Sequence, residues 1–280
     1  MIRTMFRWTA VVALFFAVLG AEDMQENRID TVIKGAYSMY KDYSLGQNAN
    51  YIQALAEVDS AIFGIAIVDV NGSIYEAGDS NKSVSIQSIS KVFTAALLME
   101  EKGSGFVKER IGVRASAFPF DSILSLELRK GALNPMVNAG ALQAVSLLDA
   151  NGSEYRWSKI KQNIDRFAGE ELPFNQKVYE SEMGSNAKNR AISELLRSQN
   201  LLGADAQETL EVYTKQCSID ASARSLAVMA ATLANGGVNP VTNDKVIDAA
   251  NTPKILSIMQ SAGLYDNSGA WSYDTGGVPS

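Results

Sequence analysis

Histidine is absent from this 280-residue chain, and cysteine occurs once, at Cys217. The first absence excludes a Ser-His-Asp triad, a Cys-His dyad and any histidine-ligated metal site. The second excludes an intrachain disulfide and a thiolate zinc cluster, and Cys217 reads as a small core residue. Proline is scarce, at six residues. No Pro-rich linker, low-complexity segment or internal repeat breaks the chain. Positive charge is short as well: 25 Lys and Arg against 31 Asp and Glu give a net −6, with no basic run. That argues against a nucleic-acid-binding surface. What is present is an ordinary globular composition, 46% apolar and 20% charged. The length suffices for one large domain or two subdomains sharing a cleft.

Long hydrophobic runs are missing too. The run from Trp8 to Leu19, preceded by Arg3 and Arg7, is short for a membrane span and predicts a secretory signal over residues 1–21. Val18 and Gly20, or Leu19 and Ala21, flank the expected cleavage point. An uncleaved membrane anchor is the second reading. Loss of Arg3 and Arg7 takes the net charge from −6 to −8, and the mature chain, residues 22–280, is expected to be periplasmic or secreted.

Apolar residues at helical spacing predict a helix over 29–43. A β run follows from Ile62 to Val70, then Asn71-Gly72 as a type I′ turn signal, then a second strand from Ser73 to Ala77. The next stretch, Ser85-Ile86-Gln87-Ser88-Ile89-Ser90-Lys91-Val92-Phe93, opens a helix with a wide apolar face that Gly103 stops. Ser88 and Lys91, three positions apart, share one helix face. A serine needs a nearby base before it attacks, and a buried lysine can be that base once neutral. The free N–H groups of a helix start add an oxyanion site. By itself S-x-x-K is a weak signal, since most such pairs are solvated helix surface.

Beyond Val113 the pattern is mainly helical: 124–130, 141–148, 157–167, 188–197, 206–216, 221–234 and 253–262. A turn over 265–269 and a last strand over 270–275 follow. Strands first, helices in the middle and a return to strand predict an α/β (α+β) fold. Residues 22–105 form a sheet-and-helix subdomain, residues 106–255 an inserted all-helical one, and residues 256–280 return to the first.

The segments SIQSISKVF, NPMVNAGA, VYESE, YTKQCSI, LANGGVNPVT and GLYDNSGAW resemble the serine-dependent glutaminases, which share the β-lactamase-like fold of serine β-lactamases and penicillin-binding proteins. The resemblance runs from about Tyr43 to the end. It implies hydrolysis of L-glutamine to L-glutamate and ammonia without metal or organic cofactor, by a homo-oligomer, a homotetramer. It places the nucleophile at Ser88, its base at Lys91 and a proton relay at Tyr265. It adds substrate contacts at Tyr51, Asn138, Glu182, Asn189 and Tyr213, with Ser88 and Tyr265 among them. Glu182 suits an α-ammonium group. Without the resemblance, Asn138 reads as a turn residue, Glu182 as a solvated acid at a helix start, Tyr213 as half-buried helix, and Tyr265 as a turn residue at the core edge.

Asp121 and the stretch Arg114-Ala115-Ser116 depart from the family pattern, and Gly277 looks like one extra residue. The family continues past the position of Ser280 into a Lys-Ser-Gly-Val-Gly-Gly strand, so the chain reads as C-terminally truncated, with its last strands and one oxyanion donor missing. Two other readings stand beside glutaminase. One is a β-lactam hydrolase or D,D-peptidase on the same fold. The other is a non-catalytic chain that binds glutamine or a partner subunit.

Overall fold

The computed structural model describes residues 28–129 and 131–280. The expected signal over residues 1–21 lies outside them. Among the described residues no helix is long and apolar enough to cross a membrane.

Helix α3 (Ser90–Lys102) is the element the others pack around. Its run of Ala, Leu and Met favours helix, and from Ser90 to Ala96, with Leu98 and Met99, its residues are buried. A helix buried on nearly every side needs neighbours all round. These are α4 (Ser104–Arg110), α6 (Asn138–Ser146), α7 (Ser153–Ala168) and α12 (Thr252–Ala262). Gly103, at φ 84°, stops α3 as expected, its N–H donating to the Met99 carbonyl at 2.8 Å. Helix α7 turns Ile160, Ile164 and Phe167 inward, and the Phe167 ring lies against Phe93 with centroids 4.8 Å apart. Asn163 beneath them satisfies the Phe93 carbonyl at 2.9 Å, as a buried amide must. Helices α9 (Ala187–Ser198) and α10 (Ala206–Cys217) complete this core against α6 and α7.

Strands β1 (Gly64–Val68) and β2 (Ile74–Gly78) pair antiparallel, Gly64 opposite Gly78 and Ala66 opposite Glu76. Helix α11 (Ala223–Ala234) lies against β1. A second, two-residue pair joins β3 (Val84–Ser85) to β4 (Asp220–Ala221), and the Ile86 N–H donates to the Ile219 carbonyl at 2.7 Å. The approach to Ser88 is thereby tied to the end of α10.

Several expectations change. Asn71-Gly72 does not form a type I′ turn, which needs positive φ at both residues; only Gly72, at φ 90°, has it. The connection runs from Asp69 to Ser73, and Asp69 Oδ1 accepts the N–H groups of Asn71 and Ser73 at 2.8 and 3.0 Å. This side-chain turn outcompetes the two-residue loop. Both strands are correspondingly shorter or shifted from 62–70 and 73–77. The last strand, expected over 270–275, is helix α13 (Ser268–Thr275). Strand propensity acts through neighbouring strands, and here the Ser268 hydroxyl, bonded to the Leu264 N–H and the Tyr265 carbonyl, holds the turn that leads into a helix docked on α12. The helix expected from 221 starts at Ala223, because Ala221 is in β4 and the Ser222 side chain caps Ser225 N–H at 3.1 Å. The first helix, α1, spans 28–40. Helices α2 (Gln53–Ala56), α4 and α8 (Gln176–Ser185) escaped the sequence reading because each buries only one or two residues, too few to mark a period. The helix α5 (Ile123–Arg129) agrees closely with the expected span.

Phe167→Ala, which removes a fully buried ring from the α3–α7 contact, is expected to lower unfolding free energy by ~3–5 kcal/mol, read by chemical denaturation. A loss below ~1 kcal/mol would contradict this packing.

Candidate active site

Ser88 lies in a 3-10 turn, Gln87–Ile89, immediately before α3 rather than inside it. Gln87 holds a left-handed backbone at φ 48°, a conformation that costs a non-glycine residue free energy. Its side chain is fastened at both ends: Nε2 donates to Ser85 Oγ at 3.1 Å, and Oε1 accepts from the Tyr51 hydroxyl at 2.9 Å. Its carbonyl accepts from Ser90 Oγ at 2.7 Å. Lys91 follows in the first turn of α3 and is 1% exposed.

The Lys91 ammonium meets an amide, not a carboxylate. Nζ donates to Asn138 Oδ1 at 2.6 Å, and the same oxygen accepts from the Tyr213 hydroxyl at 3.3 Å. Asn138 Nδ2 donates on to Asn189 Oδ1 at 2.8 Å. Asn138 can play this part because it is the first residue of α6, its N–H held by the Phe120 carbonyl at 2.8 Å. Gly140, two residues on, lets α6 approach the Asn134 carbonyl: a Cβ there would sit 1.9 Å from that oxygen. So the glycine of the NPMVNAGA stretch fixes where Asn138 points.

Tyr265, also left-handed at φ 55°, stacks on Phe120 with ring centroids 4.7 Å apart. The Lys91 ammonium lies 5.5 Å from the Tyr265 ring centre and 5.7 Å from that of Phe120. Burial pulls the Lys91 pKa down to about 8, with Cys217, Glu182 and Asp121 acting in the opposite sense. Burial raises Tyr265, and its contact with the Ser88 side chain partly opposes the rise. Burial likewise holds Tyr213 well above the usual phenol range.

Glu182, on α8, is 7% exposed, and its Oε2 is buried without a hydrogen-bond partner. Burial lifts its carboxyl to about 7, with Lys91 pulling the other way. All these groups border one cavity of about 440 Å³, with Ser88, Tyr51, Asn138, Glu182, Asn189, Tyr213 and Tyr265 in its wall. Lys91 lies beneath it. A larger depression of about 1160 Å³, between residues 40 and 63, holds none of them.

Tyr51 sits at the rim, 61% exposed. The sequence reading missed Gln87, Phe120, Asp121 and Lys188, all of which line the cavity. Phe120 and Asp121 fall in an irregular stretch that shows no periodicity. Cys217 is buried, as expected of it, but its side chain also borders the cavity, 3.9 Å from Ser90 Oγ, and burial pushes its thiol up to about 12.

The sequence model of one protein family, Glutaminase, matches residues 46–280. The chain belongs to the glutaminase family. It is 44% identical over 257 residues to the glutaminase of Colwellia psychrerythraea (strain 34H), covering 91% of this chain and 83% of the relative. It resembles the solved structure of the probable glutaminase ybaS at a TM-score of 0.86 and 42% identity, over 88% of this chain and 80% of that one. Mglu, solved in its glutamate form, is similar at a TM-score of 0.83 and 33% identity, over 89% of this chain and 57% of that one. The solved glutaminase structures that this chain matches have the β-lactamase-like fold, which is thus the fold of this chain.

In this family member, the buried acid makes a prediction about stability. A carboxyl whose folded pKa is raised gains nothing from folding when ionised; its penalty is absent below the unfolded value of about 4.5 and complete above about 7. Glu182→Gln is therefore expected to stabilise the ligand-free protein by ~1–3 kcal/mol at pH 8 and to change it little near pH 4. Denaturation at the two pH values checks this; equal effects at both would refute it.

Proposed function

We propose that the protein hydrolyses L-glutamine to L-glutamate and ammonia through an acyl-enzyme on Ser88. The observation that carries this reading is the unpartnered, buried Glu182 oxygen facing the same cavity as Ser88. An anion kept dry and unpaired needs a cationic ligand, and the α-ammonium of a free amino acid fits. A cavity of about 440 Å³ suits a molecule of that size.

Lys91, with its pKa at about 8, is partly neutral near neutral pH and can accept the Ser88 proton. Ser88 Oγ then attacks the carboxamide carbon, forming a C–O bond as the carbonyl π pair moves to oxygen. The Ser88 backbone N–H is the donor this reading assigns to that oxyanion. Collapse breaks the C–N bond, and the nitrogen leaves as ammonia with the proton Lys91 took, relayed by the Tyr265 phenol. Water, losing its proton to Lys91 by the same route, attacks the ester carbon; the C–O bond to Ser88 breaks, Lys91 returns the proton to Ser88 Oγ, and L-glutamate leaves. Asn138 orients Lys91 throughout, while Asn189 and Tyr51 donate to the α-carboxylate or hold the hydrogen bonds around it, and Tyr213 forms part of the wall. Family resemblance supports a homo-oligomer, and the segment 1–21 supports export to a periplasm or beyond; the mass in solution and the N-terminal residue of the mature protein test these.

Ser88→Ala and Lys91→Ala are each expected to cut glutamine hydrolysis by ~10³-fold or more while the protein stays folded. Glu182→Gln should raise KM for glutamine, and N-acetylglutamine, lacking the cation, should be a poor substrate. Turnover near that of the unmodified protein in either Ser88→Ala or Lys91→Ala would overturn the mechanism. Rapid cleavage of a chromogenic β-lactam with no glutamine hydrolysis would overturn the substrate.

A further inference from the structure

The cavity mouth carries an ion pair for which the mechanism above has no use. Asp121, ahead of α5, and Lys188, in the first turn of α9, both line the cavity, and Lys188 Nζ donates to Asp121 Oδ2 at 2.6 Å. Each is the sequence neighbour of a site residue. Phe120 stacks on Tyr265 and holds the Asn138 N–H; Asn189 accepts from the Asn138 side chain. The pair therefore ties together the two segments that grip Asn138, the residue bonded to Lys91. Asp121 is 25% exposed and Lys188 55%, so water screens the lysine more than the carboxylate.

We propose that Asp121, with Lys188 as its counter-ion, is a positioning residue that acts on Lys91 by charge and shifts the pH below which the enzyme stops working. This rests on Lys91 being the base. The groups facing Lys91 are few. From α8 comes Glu182; from α10, Cys217 and Tyr213; from the turn after α12, Tyr265; from α6, the neutral amide of Asn138. The thiol, raised to about 12, and the two phenols, raised by burial, are uncharged where Lys91 titrates. Glu182 is neutralised once a substrate ammonium sits on it. Of the three groups that favour the protonated amine, Asp121 then remains charged. Lys188, paired to Asp121, carries the opposite charge and offsets that influence. The two charges oppose each other, so removing either moves Lys91 in a direction its chemistry dictates.

The sign distinguishes this from a clasp that only holds the loop. Asp121→Asn keeps the shape and loses the charge, so Lys91 should release its proton more readily, and the acid limb of kcat/KM should move down by ~0.3–1 pH unit. Lys188→Gln leaves Asp121 uncompensated, and the limb should move up. Asp121→Glu should restore the unmodified profile. The second readout needs no activity: the pH titration of the Lys91 ε-carbon in protein carrying ¹³C-lysine, identified by its loss in Lys91→Met. Opposite shifts for Asp121→Asn and Lys188→Gln in both readouts support the proposal. Shifts of one sign, or none, in the titration overturn it. If Asp121→Asn does not fold, the upward shift of Lys188→Gln alone decides. Opposite titration shifts in a protein that never hydrolyses glutamine would uphold the charge effect and overturn the glutaminase reading instead.

Discussion

A lysine ammonium 1% exposed to solvent is the constraint on which the rest of this structure depends. Taking that charge out of water is expensive, and the molecule answers by making proton loss easier rather than by pairing the charge. Among the described residues, no carboxylate hydrogen-bonds to Lys91. It has one amide oxygen and, on two sides, the faces of Tyr265 and Phe120. An amide accepts from both protonation states of an amine, so Asn138 fixes the position of Nζ without locking its charge. A carboxylate in that place would hold the proton and leave no base.

Burial of that kind has to be built. Helix α3 is enclosed by α4, α6, α7 and α12, and every residue of α6 is buried. The close approach at Gly140 brings Asn138 to the first turn of α3. The same packing supports local strain. Gln87 and Tyr265 both adopt left-handed backbone, a state costing ~1–3 kcal/mol for a non-glycine residue, and they flank the Ser88–Lys91 pair in space. Each is over-determined by contacts: Gln87 by Ser85, Tyr51 and Ser90, Tyr265 by Phe120 and Ser268. Glu182 adds a third unfavourable term, a buried carboxylate oxygen with nothing to accept from. Two strained residues and an unpartnered buried carboxyl oxygen at one cavity are features expected where a protein holds stability back for binding and chemistry.

The chemistry was legible early because it is local. Ser88 and Lys91 stand three residues apart, the absence of histidine removes the commoner bases, and the apolar run after them implies burial. Long periodic helices such as α7 and α10 also showed themselves, since one face repeats over three or four turns. The departures came where a few side chains outvote the pattern: Asp69 remakes the hairpin turn, and Ser268 holds the turn from which α13, in place of the expected strand, departs. Short helices with one or two buried residues carry no period to read.

Sequence alone determined which residue types were available for the reaction and that two of them would sit on one face near a helix start. The family motifs named the further positions. Only the tertiary structure decided that Asn138, not an acid, receives the Lys91 proton donor, that Glu182 is buried without a partner, and that Phe120, Asp121 and Lys188 belong to the site at all. The reason is physical. Periodicity records which face of an element is apolar, a property of one stretch of chain. Desolvation and Coulomb interaction depend on what several distant stretches place within a few ångströms of one another, and here α3, α6, α8, α9, α10 and the turn after α12 converge on a single amine.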